Sequence, residues 1–140
     1  MANITVRKDV RRQEGNILSY PVAASTKLIE GALICVDQGA AGVAKNAADT
    51  SGFDFVGVLD ETADNTSGAA GDVRAKVWCY GVIDVAANFS AAAGDVGKKV
   101  YAVDNQTVDL AANTTNDVLV GTIVEVVSAS KLRVAITPYA

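Results

Sequence analysis

The sequence contains no histidine. That removes the commonest general base, the commonest metal ligand and the only side chain whose unperturbed pKa lies near neutrality. Cysteine is scarce as well: Cys35 and Cys79 are the only two, and they lie far apart and match no metal-ligand spacing. Each sits in an apolar, strand-like run, Leu33-Ile34-Cys35-Val36 and Val77-Trp78-Cys79-Tyr80. Such settings suit free thiols acting as small buried hydrophobes, and the sequence leaves a disulfide between them open. No apolar run approaches the ~20 residues of a membrane helix. The N-terminal charges are not followed by the apolar segment of a signal peptide, so a soluble chain made in the cytoplasm is expected. Asn-x-Ser/Thr sequons at Asn3, Asn65, Asn88, Asn105 and Asn113 then read as Asn/Thr-rich turns rather than glycosylation sites.

What the chain does contain is Ala, Val and Gly. Apolar residues make up 50% of its 140 residues while aromatics account for only 6%. Small and β-branched side chains suit strands joined by tight turns, and this length fits one domain. The net charge of −4 argues against nucleic acid as the main partner, because a phosphate-binding face is usually basic. Positive charge gathers instead at the N-terminus, where Arg7, Lys8, Arg11 and Arg12 outnumber Asp9 and Glu14. Two readings stand there, a solvated basic terminus and a docking arm.

Residues 1–26 are polar and irregular, and Tyr20-Pro21 favours extended backbone. They are read as an extended arm with little core of its own, contributing at most a strand near Ile4–Val6 or Ile17–Val22. From Lys27 short apolar runs alternate with Gly, Asn, Asp and Ser clusters, the pattern of an all-β sandwich or barrel. Strands are predicted at Leu33–Asp37, Gly42–Lys45, Phe55–Leu59, Ala75–Val85, Lys99–Val103, Val108–Leu110, Val118–Val127 and Leu132–Pro138. Turns are predicted at Gln38–Ala41, Asp64–Gly71 and Asp104–Gln106, with one helical turn near Ser90–Lys98 capped by Ser90.

An internal echo runs through this pattern. Leu33-Ile34-Cys35-Val36-Asp37-Gln38 followed by Val43-Ala44-Lys45-Asn46 resembles Val100-Tyr101-Ala102-Val103-Asp104-Asn105 followed by Leu110-Ala111-Ala112-Asn113. Val56-Gly57-Val58-Leu59 parallels Val120-Gly121-Thr122-Ile123, and Arg74–Val77 parallels Lys131–Val134. Two similar β units are expected, packed into one compact barrel- or sandwich-like domain over 27–140, since neither half can bury its strands alone.

No catalytic motif survives inspection. Gly94-Asp95-Val96-Gly97-Lys98-Lys99 lacks the earlier glycine of a phosphate loop, at Ala92, and its hydroxyl, at Lys99. Asp60-Glu61-Thr62-Ala63-Asp64-Asn65 breaks the calcium-loop spacing at Thr62 and Asn65, and Gly71 stands where a closing Glu belongs. A Ser or Cys nucleophile would have no His partner. No enzyme, no cofactor, no metal and no small-molecule substrate are therefore expected. Trp78 and Tyr80, two apart on one strand face, are read as core or an oligomer interface; set in an exposed groove they would instead offer a platform for sugar.

The run Gly31–Val36, the later Val56–Leu59, the stretch Ala92-Ala93-Gly94-Asp95-Val96-Gly97-Lys98-Lys99-Val100-Tyr101, Val118–Glu125 and Leu132–Ile136 together resemble phage capsid cement, or head decoration, proteins. The resemblance spans Lys27 to Pro138 and rests on arrangement rather than on one invariant motif. It implies a β-barrel-like module forming a homotrimer on the outer capsid surface of a virion. There it would bind and bridge major capsid protein subunits and brace the shell, with no nucleic acid or membrane partner. Some relatives carry a recombinase label, which the missing phosphate loop does not support here. Arg7, Lys8, Arg11 and Arg12 are the expected capsid contacts. The competing reading is a tail or fibre module that binds carbohydrate or a receptor.

Overall fold

A computed structural model describes residues 17–136. Among them the only helical pieces are short 3₁₀ turns at Gln38–Ala40, Ala93–Asp95 and Ala111–Asn113; the rest of the regular structure is strand. The first unit contains β1 (Ile17–Pro21), β2 (Thr26–Leu28), β3 (Leu33–Asp37), β4 (Val43–Asn46), β5 (Phe53–Leu59), β6 (Ala63–Asn65) and β7 (Arg74–Trp78). The second contains β8 (Gly81–Ala87), β9 (Lys99–Ala102), β10 (Thr107–Asp109), β11 (Leu119–Ser128) and β12 (Lys131–Ile136).

The expected pair of β units is present in the hydrogen-bonding pattern. The first sheet runs β1-β7-β5-β3-β4, and the second runs β8-β12-β11-β9-β10 with β10 closing onto β8 to make a five-stranded barrel. Matching them position by position pairs β1 with β8, β7 with β12, β5 with β11, β3 with β9 and β4 with β10. The closure matches too: β10 meets β8 in parallel through Val108 and Ala87, and the first sheet's edges meet through one parallel bridge, Val22 to Ala44. Ile34 faces Gly57 on the neighbouring strand and Val100 faces Gly121, with a one-residue register shift beside each glycine. Such bulges increase local twist, which helps a small sheet curl on itself.

The echo located two of its pairs correctly and misplaced two. Val56–Leu59 and Arg74–Val77 do correspond to Val120–Ile123 and Lys131–Val134. The counterpart of Val100, however, is Ile34 rather than Leu33, and β4 corresponds to Thr107–Asp109 rather than to Leu110–Asn113. The cause is that β3 is buried on both faces, so its apolar run carries no alternation from which to read a phase. Leu33 and Cys35 join the core that fills the barrel, while Ile34 joins the core of the first unit.

That sharing welds the units together. The barrel core of Val85, Val100, Val120, Ile123, Leu132 and Val134 continues without interruption onto Leu33, Cys35 and Phe55 of the first unit. Each such buried aliphatic side chain contributes roughly 1.5–3 kcal/mol. Hydrogen bonds cross the same seam, from the Leu33 N–H to the Asn105 carbonyl at 2.8 Å and from Asn105 Nδ2 to Asn46 Oδ1 at 3.1 Å. Asp49 adds a clasp: its carboxylate accepts the N–H groups of Thr115 and Asn116, both at 2.8 Å. These two bonds hold its carboxyl below the usual carboxylate range.

Other expectations are corrected locally. The long strand expected over Ala75–Val85 breaks at Cys79-Tyr80 into β7 and β8. Val77 and Cys79 are buried in the first core and Val85 in the second, so the chain must leave one unit for the other. Gly81, at φ +125°, sits at the break. The turn expected over Asp64–Gly71 begins late, because Ala63–Asn65 pairs with Thr26–Leu28. The buried Asn65 amide donates to the carbonyls of Ala23 and Ala69, which holds the following loop against the strands. The helical turn near Ser90–Lys98 is one 3₁₀ turn. Asp95 secures it by accepting the Ala92 N–H at 2.9 Å, and Ser90 does not cap it.

The strand expected near Ile17–Val22 is present as β1, paired with β7. Val22 and Ala23 are buried in the first core.

Candidate docking surfaces

Trp78 and Tyr80 are exposed, by 42% and 60%, so neither is in the core. Their neighbours extend the apolar surface. Ile17 lies beside Trp78 across the β1–β7 ladder, and Val82 follows Tyr80 as the chain crosses into the second unit. Ile17 and Val82 hold equivalent positions in the two units, and both are exposed. Trp78 is oriented by its indole N–H, which donates to Asp60 Oδ1 at 2.6 Å. The result is an aromatic and aliphatic band at the junction of the units, a kind of surface that protein interfaces cover more readily than charged ones.

A cleft of about 520 Å³ lies near this junction. Leu33 and Val58 of the first unit line it together with Ile83, Asp84, Gln106 and Lys131 of the second. A smaller hollow of about 210 Å³ shares Gly31 and Gln106 with it and adds Ile29 and Glu30. The two therefore form one groove. Trp78 and Tyr80 line neither part, so the arrangement is not an aromatic-floored sugar groove.

Electrostatic features are local. Arg133 bridges Asp84 at 3.2 Å and Glu125 at 2.7 Å, and Lys131 reaches Asp84 at 3.4 Å. The carboxylates beside Arg133 raise its already high pKa. Being exposed, each of these pairs contributes little on its own. Lys98, in the stretch compared with a phosphate loop, pairs with Asp95 at 2.7 Å. Asp64, in the stretch compared with a calcium loop, accepts from the Thr66 hydroxyl and N–H, which lower its pKa. No cluster of three or more metal-ligating side chains occurs among the described residues. Cys35 and Cys79 are both buried free thiols, and burial pushes the Cys35 thiol up to about 12. Among the described residues no helix is long and apolar enough to cross a membrane.

Arg7, Lys8, Arg11 and Arg12 lie outside the described residues, as does the strand expected near Ile4–Val6. Sequence reasoning missed the groove, because it joins residues from distant strands of both units and no local motif marks it.

The described chain is a duplicated, all-β domain with an exposed aromatic band. The family model for phage cement proteins matches residues 12–138, and the chain belongs to that family. Membership carries a structural role in association with the phage capsid. No curated protein and no solved structure matches the chain.

Proposed function

We propose that this protein attaches to the outer surface of a phage capsid as a homotrimer and stabilises the shell by bridging neighbouring major capsid protein subunits. The observation that carries the reading is the family match, which spans nearly the whole chain. The exposed Ile17, Trp78, Tyr80 and Val82 supply apolar surface for contact between copies. The basic segment bearing Arg7, Lys8, Arg11 and Arg12 supplies an arm to engage the shell, while the two β units, β1 included, form the body. The finished product resides in the virion after synthesis in the cytoplasm of a bacterial host.

The mechanism is additive. Each copy adds interface across a subunit boundary, and a shell that opens must break those contacts as well as its own. Modest interfaces repeated over a lattice gain strongly through multivalency. Short Ala and Val side chains lose little rotamer freedom when they are covered. Catalysis has no part in this reading.

Shells carrying the protein should withstand a higher temperature before opening than shells without it. Equal opening temperatures would count against bridging. The exposure of Trp78 and Tyr80 keeps a second reading in play, a carbohydrate-binding tail or fibre module, and glycan binding that is lost in Trp78→Ala would favour it.

A further inference from the structure

The two units close their sheets at the same place but secure the closure differently. In the first, Val22 meets Ala44 through one parallel bridge, and the Ala23 N–H donates to the Ala44 carbonyl at 3.1 Å. In the second, Ala87 meets Val108, and the Asn88 N–H donates to the Val108 carbonyl at 2.9 Å. The excursion between β5 and β7 braces the first closure further. From it the Gly71 N–H donates to the Val22 carbonyl at 2.9 Å, and Asn65 Nδ2 donates to the Ala23 carbonyl at 3.0 Å. In the second unit β11 and β12 are joined by Ala129 and Ser130 alone, too short a link to supply such a brace.

A side-chain pair takes its place. Among the described residues, the only side-chain hydrogen bond across the β8–β10 seam runs from Asn88 Nδ2 to Asp109 Oδ2 at 3.0 Å. Asp109 is buried, and its other oxygen accepts from its own segment, the Leu110 N–H at 2.7 Å and Asn113 Nδ2 at 2.9 Å. The carboxylate therefore stays aimed at the seam if Asn88 lets go. In the first unit the equivalent position is Lys45, which turns to Asp37 within its own hairpin. The backbone pairing that the Asn88–Asp109 bond reinforces is small. β10 meets β8 only at Thr107–Ala86 and Val108–Ala87, in the parallel sense, which is the weaker one per residue; on its other side β8 pairs with β12 from Gly81 to Ala86. The turn leading into β10 is tied to the first unit, where the Leu33 N–H donates to the Asn105 carbonyl. Parting at the seam thus draws Ala86 away from Gln106, and both residues line the groove.

We infer that β10 is a flap held shut by an Asn88–Asp109 latch, and that release of this latch opens the barrel at the β8–β10 seam and widens the groove. The groove then has a closed form, the one described, and an open form in which the facing edges of β8 and β10 are bare. This device belongs to the free protein and does not rest on attachment to a shell.

Amide hydrogen exchange on the full-length protein tests it, because alternate amides of this strand face opposite ways. The Ala86 and Asn88 N–H groups donate across the seam to Gln106 and Val108, whereas the Ala87 N–H donates to Ser130 on the other side. Asn88 is exposed, so Asn88→Ala removes the latch and leaves both cores intact. It should lower protection at Ala86 and Asn88 by about tenfold or more. Protection at Ala87, and at Ala23 in the first closure, should be unchanged. Asn88→Asp, which sets a second carboxylate against Asp109, should lower protection at the seam further. Equal protection in the wild type and both variants would overturn the inference. A loss shared equally by Ala86, Ala87 and Asn88 would overturn it as well, since the bond would then support the whole fold and not a flap.

Discussion

Gly57 and Gly121 occupy the same place in the two units, each beside a register shift and each pressed against the backbone of the next strand. A Cβ at Gly57 would overlap the carbonyl of Trp78, and one at Gly121 would overlap the carbonyl of Ala135. Those two carbonyls are themselves equivalent, since β7 corresponds to β12. The duplication therefore extends to a close backbone approach that only glycine permits.

Gly57→Ala and Gly121→Ala should each destabilise the fold by about 2–3 kcal/mol, because the obstacle is backbone and cannot rotate away. Gly94, with open space around it, is the control and should tolerate Ala. Urea unfolding measures all three, and equal midpoints for the three variants would contradict the assignment.

Asp49 makes the seam between the units sensitive to acid. Its folded-state pKa lies below the unfolded value because the charged form accepts the Thr115 and Asn116 N–H groups. The stabilisation it supplies is thus present above the unfolded carboxylate pKa of about 3.9 and is lost as pH falls through the folded value. Asp49→Ala should cost about 1–2 kcal/mol at neutral pH. It should also reduce the fall in stability between pH 5 and 2, as followed by thermal unfolding; an unchanged pH profile would refute this role.

Much of the fold was legible because period and turn chemistry agree. Arg74-Ala75-Lys76-Val77 alternates exposed and buried residues as its sequence implies, and the matched glycines mark the echo. Legibility failed where both faces are covered, as at Leu33-Ile34-Cys35, and where the chain changes unit, as at Cys79-Tyr80. The polar-looking Thr107-Val108-Asp109 hides a buried Asp109 that accepts from the amides of Asn88 and Asn113, so the echo slid past it to Leu110. Trp78 and Tyr80 could be singled out by type, but exposure depends on which strands flank them. The groove is a product of tertiary packing alone.

The cysteines should behave as inert core residues. In the folded protein neither Cys35 nor Cys79 should react with a thiol reagent at pH 8, because burial disfavours the thiolate at both. Both should react at once in denaturant. Rapid labelling of either under native conditions would show that its strand opens locally.

Trp78 is the only tryptophan, which makes the exposed band spectroscopically visible. Replacing Trp78 and Tyr80 together by Ser should leave the thermal midpoint little changed, since both lie outside the cores. The same variant should lower the mass of the free protein measured by sedimentation equilibrium. An unaltered mass in a wild-type oligomer would move the contact between copies elsewhere on the surface.

Attachment to the shell is the central claim, and co-sedimentation with expanded phage heads measures it directly. The full-length protein should pellet with the heads and saturate at a fixed ratio to the major capsid protein, while a variant lacking residues 1–16 stays folded and pellets less. A full-length protein that remains in the supernatant at every concentration, with heads intact, would contradict the account.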